Sequence, residues 1–183
     1  MTITLQAGIS LRALRASDAP AVFACALRNF DRLRPWFDWA TDAFTEDAVR
    51  EELAGMEAQA EPRNDLPHGI FTGAQFAGSA GLYKIDYVNN VARIGYWIDA
   101  AYAGKGLVTS AVRALVDLAF AELGLNRIEI RCAPANHASR AVPQRLGFTE
   151  EGTHREVLAL HGAFQDLIMY ALLKREWQNR SAT

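Results

Sequence analysis

The sequence predicts an α/β fold with a mixed sheet, and three observations carry that expectation. The stretch from Gly95 to Phe148 has the layout strand, glycine turn, helix, strand, capped helix. On either side of it, short alternating apolar runs are separated by turn residues. A length of 183 residues with 50% hydrophobic content suits one compact domain over 1–183 with a sizeable core, rather than two small ones.

Taken in order, Ile9 to Leu14 alternates like a half-buried strand. Ser17, Asp18, Ala19 and Pro20 then open a helix whose apolar stripe is Val22, Phe23, Ala26, Leu27 and Phe30. A second helix follows Thr45, with Glu46 and Asp47 suited to its positive end and Val49, Leu53 and Met56 on its buried side. Residues 61–67 are a loop, followed by short strands around Ile70 and from Phe76 to Ile85. Asn89 and Asn90 tolerate the positive φ angles of a tight hairpin and return the chain into Val91 to Ile98. The glycine turn leads into a helix with Val108, Val112, Leu115, Val116, Ala119 and Leu123 on one stripe, ended by Gly124. Ile128, Ile130 and Cys132 alternate along a buried strand, and Asn136 caps a helix that stops at Gly147. Two last strands meet at the His161-Gly162 turn, and the final one runs from Ala163 to Leu173. The order is strand, two helices, three strands, helix, strand, helix, two strands.

Composition narrows function. Nineteen basic against twenty-one acidic residues give a formal charge of −2, which argues against a broad nucleic-acid surface and leaves small or peptide substrates open. The N-terminus lacks a basic region followed by an apolar core, and no apolar run approaches the ~20 residues of a membrane span, so a cytoplasmic protein with no membrane partner is expected. With two cysteines, Cys25 and Cys132, reduced core thiols are expected rather than a disulfide or a catalytic thiol. His68, His137, His154 and His161 show no metal-ligand spacing, so no metal is assigned.

The segment Tyr102-Ala103-Gly104-Lys105-Gly106-Leu107-Val108-Thr109 carries the chemistry, because a strand feeding a glycine turn aims backbone N–H groups and a helix N-terminus at an anion. It is neither a Walker loop, since Lys105 precedes Gly106 rather than Ser or Thr, nor a Rossmann turn, since Thr109 stands where the third glycine belongs. A plain tight turn is the competing reading of Gly104 and Gly106. The segment resembles the acyl-CoA loop of the GNAT N-acetyltransferase superfamily, Gln/Arg-x-x-Gly-x-Gly/Ala, with Ala103 and Val108 departing at the first and last positions. The resemblance continues through residues 123–130, through 136–148 and into 170–177. Together with Leu33-Arg34-Pro35-Trp36 it points to the RimJ/RimL-type ribosomal-protein N-terminal acetyltransferases and covers nearly the whole chain.

That resemblance implies a single-domain GNAT fold whose mostly antiparallel mixed sheet splays between its fourth and fifth strands, with flanking helices. Acetyl-CoA would lie in the gap, the amides of Trp97 and Ile98 meeting pantetheine and thioester, and Ala103, Gly104, Lys105, Gly106, Leu107, Val108 and Thr109 holding the pyrophosphate. Val108 would crowd that phosphate unless the helix turns it into the core with Val112. Asn136 would touch the pantetheine and Ser139 would lie near the sulfur, an N-cap and a first-turn polar residue being the competing readings. Where many relatives carry a tyrosine acid, this chain has Pro143, which leaves Ser139 or a water as the acid. Where part of the branch carries a glutamate base, it has Leu158; strand alternation makes Glu156 the nearest substitute, an ion pair being its competing role, with Asp38 and Asp166 as further candidates. Trp36, Asp38 and Trp39 would line a substrate mouth, against the alternative of an aromatic core cluster. The acceptor implied is the N-terminal α-amine of a ribosomal or other protein. A small amine such as an antibiotic or polyamine, and a non-catalytic acyl-CoA-binding module, are the alternatives, and a homo-oligomer is left open.

Overall fold

The alternating runs line up as one eight-stranded sheet in the computed structural model, which describes residues 2–6 and 8–181. The expected span of 1–183 also includes Met1, Ala7, Ala182 and Thr183, which lie outside the described residues. The strands are β1 (Thr2–Gln6), β2 (Ile9–Ala13), β3 (Leu66–Thr72), β4 (Gln75–Asp86), β5 (Val91–Ile98), β6 (Arg127–Cys132), β7 (Thr149–Leu160) and β8 (Ala163–Leu173), in the spatial order β1-β2-β3-β4-β5-β6-β8-β7. Every neighbouring pair is antiparallel except β5 with β6, which is parallel. The helices are α1 (Ala19–Arg28), α2 (Phe30–Leu33), α3 (Glu46–Glu57), α4 (Leu107–Asp117), α5 (His137–Leu146) and α6 (Lys174–Ser181).

Neighbouring residues of a strand sort into two cores, so both faces of the sheet are covered. Ile70 and Ala77 belong to the cluster that holds Leu107, Val112, Leu115 and Val116 of α4, with Leu82, Ile94 and Ile128 from the sheet. Phe71 and Phe76, one residue away, belong to the cluster with Cys25 of α1 and Val49 and Leu53 of α3. The α4 stripe is buried as expected; Val108 is half-buried and packs against the first core. A π-helical turn at Leu118–Glu122 extends α4, and Gly124 ends it at φ 69°. Thr45 accepts a hydrogen bond from Ala48 N–H and so caps α3.

Two sequence expectations need correction. Leu27 is 54% exposed rather than part of the α1 stripe, because the buried side runs through Cys25, Ala26 and Asn29 instead. The first strand of the sheet is β1, paired antiparallel with β2 through Ile3↔Leu11, and the alternation of Ile3 and Leu5 is its sequence signal. The expected fourth and fifth strands are therefore β5 and β6. They pair only at Val91↔Arg127, Ala92↔Ile128 and Arg93↔Glu129. Beyond that point β5 stays with β4 to Gly78↔Ile98 and β6 stays with β8 to Cys132↔Ile168, so the two strands part as the resemblance implies.

Candidate active site

The opening between β5 and β6 lies between two helix N-termini, those of α4 and α5. At the first, Gly104 and Gly106 take φ angles of 74° and 76°, a left-handed conformation natural to glycine. Residues 103–106 are exposed, and a Cβ added at either glycine would enter open space. Gly106 is the N-cap of α4 and no side chain caps that end, so the amides of the first turn, Leu107, Val108 and Thr109, are left for a ligand. The loop is tethered on its outer side. Lys105 Nζ stands 5.3 Å from the centre of the Tyr102 ring, and the Tyr102 hydroxyl accepts from Thr72 and donates to Gln75, both at 3.1 Å.

The end of β5 offers backbone groups to the opening. Asp99 N–H donates to Ala77 O, and the Trp97 carbonyl faces Gly78 so closely that a Cβ there would lie 2.4 Å from it. Backbone polar groups alternate along a strand, so those of Ile98 face away from β4, where Arg32 donates to Ile98 O. Trp97 N–H accordingly faces β4, and Ile98 N–H faces away from it.

A polar cluster that sequence reasoning missed fixes this strand end. Asp99, 5% exposed, accepts from Arg28 at 2.6 Å and from Ala101 N–H at 3.0 Å. Buried Asn29 accepts from Ala100 N–H and donates to Cys25 O. Burial opposes ionisation of Asp99, but the bonds from Ala101, Arg28 and Asn29 outweigh it and hold its carboxyl below the usual range. Burial pushes the Cys25 thiol up to about 12, with Arg28 opposing, so it is inert. Asp99 lies 71 positions from Arg28, and no spacing announces its meeting with Arg28 and Asn29.

On the other bank, Asn136 Oδ1 accepts from Ser139 N–H at 3.1 Å and so caps α5. Ser139 Oγ lies 3.2 Å from the Tyr96 hydroxyl and 3.2 Å from Cys132 Sγ, while the Tyr96 hydroxyl donates to Ser139 O at 2.9 Å. Pro143 sits inside α5 and has no N–H to return to the Ser139 carbonyl, and Tyr96 supplies the missing donor from β5. Burial raises the Tyr96 hydroxyl well above its ordinary pKa, and burial likewise raises the Cys132 thiol.

The expected acceptor residues divide. Trp39 stands 5.2 Å from Phe37, 5.0 Å from Phe44 and 6.3 Å from Trp97, ring centre to ring centre, so the loop after α2 meets the strand beside the opening. Trp36 is half-buried; Asp38 is exposed and accepts from its neighbour Trp39 N–H. His161 in the β7–β8 turn hydrogen-bonds Arg34 O and ties the hairpin to this loop. Glu156 is exposed at φ 52°, inside a register shift between His154 and Leu158, so the simple alternation that would align it with Leu158 does not hold. Its N–H donates to Asp166, which is thereby engaged in pinning the bulge. No hydrogen bond joins Glu156 to Ser139 among the described residues. No group of metal-ligating side chains is found among them either.

The chain matches the family model described as an acetyltransferase (GNAT) domain over residues 9–149. It is 39% identical over 171 residues to the putative ribosomal N-acetyltransferase YdaF of Bacillus subtilis strain 168, with 93% of each chain covered. It is 26% identical over 171 residues to the ribosomal-protein-serine acetyltransferase of Escherichia coli K12, covering 93% of this chain and 95% of that one. Among solved structures it superposes on the ribosomal L7/L12 α-N-protein acetyltransferase RimL, which holds coenzyme A disulfide-bonded to one of its own cysteines. That match has a TM-score of 0.89 and 28% identity over 94% of this chain and 98% of RimL.

Proposed function

From its membership of the GNAT acetyltransferase family, to which this chain belongs, we propose that it moves an acetyl group from acetyl-CoA to the N-terminal α-amine of a ribosomal or other protein. The observation that carries this reading is the unpaired stretch of β5 opposite β6, with an uncapped helix end at one side and the Ser139 hydroxyl at the other. The names of YdaF, the Escherichia coli enzyme and RimL support the acceptor class.

The residues divide the work as follows. Backbone donors of Gly104, Lys105, Gly106 and the first turn of α4 hold the pyrophosphate, and Ala103 leaves room beside them. Val108 packs inward and does not crowd that site. The arm of the co-substrate passes along Asn136, and Ile98 N–H steadies the oxyanion formed when the amine attacks the thioester carbon. Trp36, Asp38, Trp39 and the Trp97 ring receive the acceptor. Ser139 hands a proton to the departing sulfur. Glu156, or a water in its place, takes the proton lost by the amine.

The amine's own acidity fixes the expected substrate. An α-amino group titrates near 7.7–8.0, so neutralising it at pH 7 costs only about 1 kcal/mol, whereas a lysine at about 10.4 costs roughly 4.6 kcal/mol. By the resemblance, Leu158 stands where part of the branch carries a glutamate base, and a site without that base suits the easier amine. The test is a peptide with a free N-terminus and one internal lysine, incubated with acetyl-CoA and located by fragmentation. Label at the N-terminus is expected; label mainly on lysine overturns the acceptor assignment. Coenzyme A that protects the fold while no thiol is ever released would point instead to a binding module.

A further inference from the structure

Resting on the reading of the opening as an acetyl-transfer site, we propose that Tyr96 is a positioning residue that supplies, through Ser139, the proton taken up by the departing thiolate. The phenol reaches α5 from β5, on the opposite bank. It binds Ser139 twice, donating to its carbonyl at 2.9 Å and accepting from its hydroxyl at 3.2 Å.

The need for a second group follows from acidity. Serine alone is a poor terminal acid, because the alkoxide left behind is far more basic than the thiolate it would protonate. A phenol is a far stronger acid than an aliphatic hydroxyl, so Tyr96 is the better source of the proton that Ser139 passes on. The burial that raises Tyr96 disfavours a lasting tyrosinate, which makes the two proton shifts simultaneous. As the C–S bond breaks, its electron pair goes to sulfur and the sulfur takes the Ser139 proton. Ser139 Oγ takes the Tyr96 proton, and Tyr96 is reprotonated through solvent by the proton that the amine lost on forming the amide. Both hydroxyls turn about their C–O bonds to do this, a motion that needs no backbone change.

Pro143 gives the arrangement its structural reason. It removes the amide that would have paired with the Ser139 carbonyl, and Tyr96 meets the carbonyl's need directly. A structural role and a proton-supply role for Tyr96 can therefore be separated. Alanine at position 143 restores an N–H donor to Ser139 O but cannot furnish a proton to Ser139 Oγ.

The experiment compares the parent, Tyr96→Phe and the double variant Tyr96→Phe/Pro143→Ala by kcat, KM for acetyl-CoA and Tm. Tyr96→Phe is expected to lower kcat about ten- to a hundredfold with KM for acetyl-CoA within twofold, and to lower Tm. The double variant should regain Tm and keep the low kcat. Should Tyr96→Phe alone not fold, the same comparison is made between Pro143→Ala and the double variant. Recovery of kcat in the double variant, or a Tyr96→Phe turnover within twofold of its reference, would overturn the proposal while acetyl transfer stands. Adding Ser139→Ala to Tyr96→Phe should be no slower than Ser139→Ala alone, and multiplied losses would break the series arrangement. A parent that transfers no acetyl group to any amine overturns the functional reading, and this proposal with it.

Discussion

Asp99 concentrates in one carboxylate the attachment of β5 to the first helices. Ala101, Asn29 and the Arg28 guanidinium converge on it while its side chain is 8% exposed and that of Arg28 is 44% exposed. Because Arg28 reaches water, the pair is partly screened, and Asp99→Asn is expected to cost about 2 kcal/mol, near the range for hydrogen bonds to a charged group. In a chain of this length that lowers Tm by roughly 4–8 °C. The folded-state pKa lies below the unfolded value, so this contribution is complete above about pH 4 and disappears as pH falls through the folded pKa. Thermal melts of parent and variant from pH 7 to pH 2.5 check both parts, since the gap should be constant down to about pH 4 and close below it. A gap that widens in acid would contradict the assignment.

The loop between β5 and α4 packs little against the rest of the fold at its glycines. Gly106 has open space around it and φ 76°, so a larger residue there costs backbone strain of about 1 kcal/mol without clashing with the fold. Gly106→Trp should therefore remain folded and lose acetyl-CoA binding by at least a hundredfold, measured by calorimetry. Gly106→Ala, equally strained but small, should lose much less, and equal losses would mean that strain rather than bulk is responsible. The α5 end works differently. Its Asn136 cap is used for the helix itself, and its irregularity at Pro143 is compensated from β5 by Tyr96.

Across the whole molecule, the fold brings two chain segments, the end of β5 and the start of α5, to opposite banks of one opening. If the acceptor is an α-amine handled without a strong base, kcat/KM should rise between pH 7 and 8.5 as the amine loses its proton, by up to about tenfold. A pH–rate profile on an N-terminal peptide checks this, and Glu156→Gln should lower the rate only a few-fold at pH 8.5. A flat profile would place the amine's deprotonation elsewhere. Much of the architecture was legible beforehand: strand periods, the α4 stripe and the Asn136 cap are local patterns, and local patterns are written in neighbouring residues. The turn at Gly104 and Gly106 was legible for the same reason, since positive φ angles are written in the glycines themselves. Glu156 was placed by an alternation that a register shift interrupts, and such a shift depends on the partner strand. The cluster of Arg28, Asn29, Arg32 and Asp99, and the approach of Tyr96 to Ser139 across 43 positions, were decided only by tertiary structure. The sequence determined which elements form and where the glycine turn before α4 falls, because helix and strand periods and turn residues are short-range. Which side chains meet across the opening was decided by the divergence of β5 from β6, and that divergence arises from their outer partners β4 and β8.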